Sequence, residues 1–204
     1  MKNFSVNELP VMEHYYTIQG EGINTGKAAY FIRLGGCDVG CVWCDVKESW
    51  DAAKHPVIAV SLLVQEVLQH PARIAVITGG EPLMYNLDYL CEQLKQNGFA
   101  TCVETSGAYA LSGQWDWICV SPKKFKEPVL SVLQKADELK VIIYNKSDFA
   151  WGELHAKSVD SNCKLLLQPE HSRFSEVMPL IVDYVKEHPE WQISLQTHKI
   201  INVP

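Results

Sequence analysis

The chain has 204 residues, 47% of them hydrophobic and 21% charged, which fits one globular domain over residues 1–204 and excludes a disordered polyelectrolyte. Its formal net charge of −6 argues against a nucleic-acid groove, which needs clustered Lys and Arg, but not against a small anionic substrate that one arginine can bind. No segment approaches the roughly 20 apolar residues of a membrane span, and Met1–Glu13 alternates apolar and polar residues without a signal-peptide core, so the chain is expected in the cytoplasm, with neither nucleic acid nor membrane as partner.

Ala29–Leu34 reads as the first strand, and Ser61–Gln69 as a helix with Ser61 at its N-cap. Arg73–Thr78 is apolar and β-branched, hence a buried strand. Leu87–Asn97 has helical spacing, and Gly98 suits the position just past its end. Ala100–Glu104 and Trp117–Ser121 read as strands, and Pro128–Ala136 as a helix with Pro128 in its first turn. Glu138–Ile143 and Lys164–Gln168 follow as strands, Glu176–His188 as a helix and Gln192–Leu195 as a last strand. Strands alternating with helices argue for parallel pairing through crossovers. A complete eightfold barrel needs roughly 200 residues or more, and strands outnumber clear helices here. The expected fold is therefore α/β: a partial (βα) barrel with about six parallel core strands and a reduced number of helices. A flat doubly wound sheet is the runner-up.

Polar signatures sit at or just past the C-terminal ends of these strands. Arg33 is near the end of the first, and Thr78-Gly79-Gly80-Glu81-Pro82 follows the second. Glu104-Thr105-Ser106-Gly107, Ser121-Pro122-Lys123, Gln168-Pro169 and Gln196-Thr197-His198-Lys199 follow later ones. In parallel α/β architectures these ends share one face, where sites are built. One such signature would pass as an ordinary turn; a series at the same topological position points to a site.

Cysteines in a reducing compartment are thiols. Cys91, Cys102, Cys119 and Cys163 lie scattered in apolar surroundings and read as small buried hydrophobes. Cys37-x3-Cys41-x2-Cys44 is different: it follows the first strand and is punctuated by Gly35, Gly36 and Gly40, so the loop can wrap a compact object. Structural zinc wants four protein ligands, and only Asp45 or His55 stands near to complete them. Three thiolates on a four-iron cluster leave one iron open, the mark of a metal that binds substrate. The cluster is the favoured reading and zinc the alternative.

With Trp43 before its last cysteine, the triplet resembles the signature of the radical S-adenosylmethionine superfamily, and Thr78–Pro82 resembles that superfamily's Gly-Gly-Glu-Pro segment. Tyr16-Thr17-Ile18-Gln19-Gly20-Glu21-Gly22, Phe31-Ile32-Arg33-Leu34, Glu104–Gly107, Ser121–Lys123 and Gln196–Lys199 extend the match. From about residue 14 onward the chain resembles the 7-carboxy-7-deazaguanine synthase family of the queuosine and deazapurine pathway. The resemblance implies a carbon–nitrogen lyase that converts 6-carboxy-5,6,7,8-tetrahydropterin to 7-carboxy-7-deazaguanine with loss of ammonia. It implies a 4Fe–4S cluster on Cys37, Cys41 and Cys44. S-adenosylmethionine would lie against Trp43, Asp45, Gly80, Glu81, Ser121, Pro122, Lys123, Gln168, Pro169, Glu170 and His171. The pterin would be lined by Ile18, Gln19, Gly20 and Thr78, with Pro204 over it. Arg33 would receive the substrate carboxylate, as a guanidinium fork can. A homodimer and an electron donor such as flavodoxin or ferredoxin are also implied.

Duller roles compete: a structural ion pair for Arg33, loop packing for Trp43, a surface turn for Gln19 and Glu21. His198 is given no catalytic role. The family commonly places Thr or Ser two residues after the last cysteine, beside Mg²⁺. Val46 stands there and cannot ligate a hard cation, so a reduced magnesium requirement is expected. A radical activase acting on a partner protein, and a zinc-stabilised binding module, are the competing functions.

Overall fold

The computed structural model describes residues 5–204; the first four residues of the Met1–Glu13 segment lie outside them. The alternating N-terminus becomes β1 (Glu8–Ile18), which turns back through residues 19–27 into β2 (Ala28–Leu34). After the cysteine loop come β3 (Val57–Ala59), α1 (Val60–Leu68), β4 (Ile74–Gly79), α2 (Asp88–Gln96), β5 (Ala100–Thr105) and β6 (Trp117–Val120). The chain continues through α3 (Leu130–Leu133), β7 (Glu138–Ile143), α4 (Ser147–Ala156), β8 (Lys164–Pro169), α5 (Phe174–Glu187), β9 (Trp191–Ile193) and α6 (Thr197–Ile201).

The strands form one sheet in the order β3-β1-β2-β4-β5-β6-β7-β8-β9. From β2 onward each pair is parallel, so seven strands run together, against about six expected. β1 and β3 extend the sheet antiparallel. In a flat sheet six strand spacings of about 4.8 Å would part β2 from β9 by roughly 29 Å. Instead the turn after β1 touches the chain after β9: Thr197 N donates to Gly20 O at 2.8 Å, and Gly22 N to Ser194 Oγ at 3.0 Å. The sheet is curled into an open barrel, and the flat alternative is set aside.

Alternate residues of the curled strands face two different surroundings. Ile32 and Leu34, Ala75 and Ile77, Leu139, Val141 and Ile143 pack outward with Leu63, Leu90, Leu94 and Ile181 of the helices. On the concave side Ala29, Phe31, Val76 and Cys102 make a small apolar floor, and above it the inward positions turn polar. The four scattered cysteines are all buried, as read, and burial pushes the Cys91, Cys102 and Cys163 thiols up to about 12.

Several elements depart from the sequence expectation. The helix expected over Pro128–Ala136 shrinks to α3, because Val129 stays extended and its N–H bonds Gly107 O at 2.8 Å. The last strand begins at Trp191 and ends at Ile193. Helix α4 was not foreseen: Gly152 interrupts its apolar pattern, yet that glycine is what lets the helix approach the Trp191 ring, which a Cβ would meet at 3.2 Å.

Candidate active site

The cysteine loop hangs between two backbone clamps. On one side Gly36 N donates to Ser49 O at 2.6 Å and Cys37 N to Trp50 O at 3.1 Å. On the other, Gly80 N donates to Leu34 O and Glu81 N to Gly36 O, both at 2.9 Å. The second clamp demands glycine. Gly79 has φ of 133°, and a Cβ there would strike the Leu34 backbone; at Gly80 it would strike Gly36 O and the Cys37 Cβ. Tyr85 OH donates to Gly35 O at 2.6 Å, and Asp38 accepts from Tyr109 OH at 2.5 Å and Lys126 Nζ at 2.8 Å.

All three thiols of the loop line one cavity of about 280 Å³. Burial pushes the Cys41 thiol up to about 11 and raises Cys37, so a bound metal is what would strip these protons. Among the described residues, the one group of three ligand atoms within 4.8 Å of one another is Glu153, His188 and Glu190, away from the cavity. Three thiols with no fourth protein ligand beside them suit a cluster that keeps one iron open better than a structural zinc, which wants four. His55 does not complete a zinc site: its Nε2 bonds Glu48 O at 2.9 Å and its ring packs on Gly35.

The same cavity gathers most residues singled out from sequence. Ile18, Gln19, Gly20, Arg33, Trp43, Asp45, Val46, Thr78, Gly80, Ser121, Lys123, Gln168, Pro169, Glu170, His171 and Pro204 all line it. Two do not. Pro122 is buried behind the wall, its carbonyl accepting from Trp151 Nε1 at 3.4 Å. Glu81 is 0% exposed, and its carboxylate is consumed by Leu83 N (3.0 Å), Thr105 Oγ1 (2.5 Å), Ser106 N (2.8 Å) and Ser106 Oγ. Its side chain ties the loop after β5 to the Gly-Gly segment and offers the cavity nothing. The Glu170 carboxylate is likewise committed, capping Ser172 N and Arg173 N at 3.2 Å each.

Arg33 projects from β2 beside its cross-strand neighbour Glu13. Its Nε lies 2.7 Å from Glu13 Oε1, off the hydrogen-bond direction, and its NH2 donates to Tyr15 OH at 3.1 Å. Burial opposes the charge, but Tyr15, Glu13 and Glu104 outweigh it and keep the guanidinium a cation. Lys123 donates to Ser121 Oγ at 2.5 Å and stands 5.5 Å over the Trp43 ring; burial depresses its pKa.

A second group centres on Lys140, the one member that the sequence motifs leave out. Lys140 Nζ, with a side chain 5% exposed, lies 2.5 Å from Glu21 Oε2 and 3.7 Å from Glu104 Oε2. Glu21 also accepts from Gln168 Nε2 at 3.0 Å and Gln196 Nε2 at 2.8 Å, while Gln19 Nε2 donates to Glu104 Oε1 at 2.8 Å. Burial alone would raise the Glu21 carboxyl; Lys140 and the amide donors outweigh it and hold it below the usual range. Burial would likewise lower Lys140, but Glu104 and Glu21 hold it well above the ordinary lysine value. The sequence carried one signal: Glu138 and Lys140 alternate with Leu139, Val141 and Ile143, so one face of a buried strand is charged. His198 also enters the cavity, its ring so close to Gly20 that a Cβ there would overlap it, and burial lowers its pKa.

Comparison with known proteins agrees with this geometry. The Radical SAM superfamily pattern matches residues 31–142. A protein of Flavobacterium psychrophilum named 7-carboxy-7-deazaguanine synthase is 54% identical over 96% of this chain and 93% of its own length. Proteins of the same name from Synechocystis and Escherichia coli K12 are 47% and 31% identical, over 95% and 96% of this chain and 93% and 99% of their own lengths. A crystal structure titled QueE from Escherichia coli superposes with a TM-score of 0.84 at 33% identity, covering 94% of this chain and 95% of that one.

Proposed function

The chain belongs to the 7-carboxy-7-deazaguanine synthase family of radical S-adenosylmethionine proteins, and from that premise we propose how its residues divide the reaction. The family implies a 4Fe–4S cluster and S-adenosylmethionine. Cys37, Cys41 and Cys44 hold the cluster, and the bound pair supplies the one-electron cleavage that starts the chemistry. The substrate is 6-carboxy-5,6,7,8-tetrahydropterin and the product 7-carboxy-7-deazaguanine, with ammonia lost.

The observation that carries this reading is one cavity holding three kinds of recognition at once: three thiols, one arginine, and a buried carboxylate–amide network. Trp43, Lys123, Ser121, Gly80 and the Gln168–His171 segment surround the cofactor side. Arg33 takes the substrate carboxylate through its guanidinium, whose NH2 also donates to Tyr15 OH. Ile18, Gly20 and Thr78 pack the pterin, and the amide and carboxylate groups of Gln19, Glu21 and Glu104 match the donors and acceptors of an aminopterin edge. Pro204 closes over it, an oxygen of its terminal carboxylate accepting from Thr17 Oγ1 at 3.2 Å.

Magnesium fits less well. Val46 lines the cavity without an oxygen, and its carbonyl already accepts from Ser49 Oγ at 2.7 Å. The magnesium requirement is therefore weak, with the ion held by substrate oxygens and water. A protein electron donor such as flavodoxin or ferredoxin reduces the cluster. A homodimer is supported by the apolar Val57 and Leu62, both exposed beside the edge strand β3. A cytoplasmic location agrees with the finding that no helix among the described residues is long and apolar enough to cross a membrane.

The test is anaerobic incubation of cluster-reconstituted protein with S-adenosylmethionine, dithionite and the carboxytetrahydropterin. Formation of 7-carboxy-7-deazaguanine supports the reading; its absence with the cluster intact rejects it. A glycyl-radical activase would show cofactor cleavage only with a protein partner.

A further inference from the structure

One buried carboxylate has no part in the chemistry described above. Glu138 opens β7, is 2% exposed, and points to the concave side two residues before Lys140. It does not line the main cavity; it borders a smaller crevice beneath. Among the described residues no lysine or arginine lies within ion-pair distance of it. A carboxylate buried without a cation is costly unless donors converge on it. Three do: Ile23 N at 3.0 Å, Trp117 Nε1 at 3.3 Å and Cys119 Sγ at 3.3 Å.

Ile23 belongs to the turn between β1 and β2. Gly22 beside it has φ of 68°, and a Cβ there would overlap the Glu138 carboxylate. The turn is pinned a second time, by Gly22 N on Ser194 Oγ, which itself donates to Gln168 Oε1 at 2.7 Å. Internally the turn is closed by Gln19 N to Lys27 O and Gly26 N to Gln19 O, both at 2.8 Å. Ile23 and Gln19 thus belong to one hydrogen-bonded turn, so a contact that holds Ile23 bears on Gln19, Gly20 and Glu21.

We propose that Glu138 is a positioning residue, which with Ser194 anchors the 19–27 turn in the barrel and so sets the substrate-lining face of Gln19 and Gly20. This rests on the substrate reading of that segment given above. Glu138 touches neither substrate nor cofactor. An anchor that orders a binding segment contributes equally to ground and transition states, so its loss raises KM and spares kcat.

The experiment compares reconstituted wild type, Glu138→Gln and Ser194→Ala. The amide keeps the shape of the carboxylate but turns N–H groups toward donors. The expected result is a KM for the carboxytetrahydropterin about tenfold higher in Glu138→Gln, with kcat within about twofold. Cofactor cleavage without substrate and the cluster absorption stay unchanged. Deuterium uptake rises in residues 19–27 and not in residues 37–44. Unchanged KM and unchanged uptake in Glu138→Gln overturn the proposal. So does a kcat loss matching the KM change with the cluster bleached, since that reports general damage. Should Glu138→Gln fail to fold, Ser194→Ala is read by the same measures, and an unaltered KM and uptake there overturn it. A wild type that makes no product rejects the substrate reading alone, because deuterium uptake still reports the anchor.

Discussion

Strand β7 shows two proteins in six residues. Leu139, Val141 and Ile143 face the helices and are fully buried among leucines and valines. Glu138 and Lys140 face inward, equally hidden from water, and are held only by other polar groups. The outer face needs nothing but apolar volume, and each large side chain there contributes about 1.5–3 kcal/mol. The inner face does not return stability in that way: a buried ion pair gains little over apolar packing of the same volume, and breaking it is expensive. Such a face fits the proposed role of the cavity, with Lys140 beside the substrate-lining residues and Glu138 behind them.

That contrast can be broken by substitution. The largest effect belongs to the cysteine loop: Cys41→Ala removes a ligand with no spare beside it, so the reconstituted protein should lack the cluster absorption and show no product, while circular dichroism keeps its α/β shape. Retained activity would mean the thiols are structural. Next comes Lys140→Met, which leaves Glu21 and Glu104 facing each other without their cation and should cost about 3–5 kcal/mol in chemical denaturation, with product formation lost. Leu139→Ala should cost a comparable 2–5 kcal/mol, roughly, yet leave kcat per folded molecule unchanged at low temperature. If both variants lost stability and activity in step, the two faces would not be separable.

These two faces were unequally legible. The cysteine triplet and Gly79-Gly80 are local: their spacing and their glycines are the geometry, and both were found. The outer face announced itself through apolar runs. The Lys140 network did not, because its partners are 119, 147 and 175 residues apart along the chain, and no spacing rule joins Glu21 to Gln196. What brings them together is the curl of the sheet, which sets the turn after β1 against the chain after β9. Glu81 misled for the opposite reason: its motif is local, but its carboxylate turns away from the cavity to Thr105 and Ser106.

Acid sharpens the same comparison. Glu21 has its folded pKa below its ordinary value of 4.5, so its share of stability is present above that value and lost as pH falls through the folded pKa. Wild-type protein should therefore lose stability between about pH 4.5 and the lowered pKa of Glu21, and Glu21→Gln should lose less over that interval. Equal slopes for the two in urea titrations at each pH would mean the Lys140 contact is not formed in solution. Arg33→Lys exchanges a two-pronged donor for a single point of charge, and Glu13 can still pair with it. A KM increase of about tenfold is expected, with the cluster absorption unmoved.

The smallest effect is at Val46, which lines the cavity with an apolar side chain. Valine and threonine are nearly isosteric, so Val46→Thr should fold normally and differ only by one hydroxyl facing the cavity. A hard cation binds oxygen and not methyl groups. Wild-type turnover should therefore change little when EDTA replaces magnesium, whereas Val46→Thr should become more responsive to added Mg²⁺, by about two- to fivefold if the hydroxyl is worth one modest ligand contact. A wild type that stops without magnesium, with Val46→Thr behaving identically, would place the ion elsewhere in the cavity. Lys140 already sits on Glu21 and Glu104, so a second cation on those carboxylates would have to share them with it.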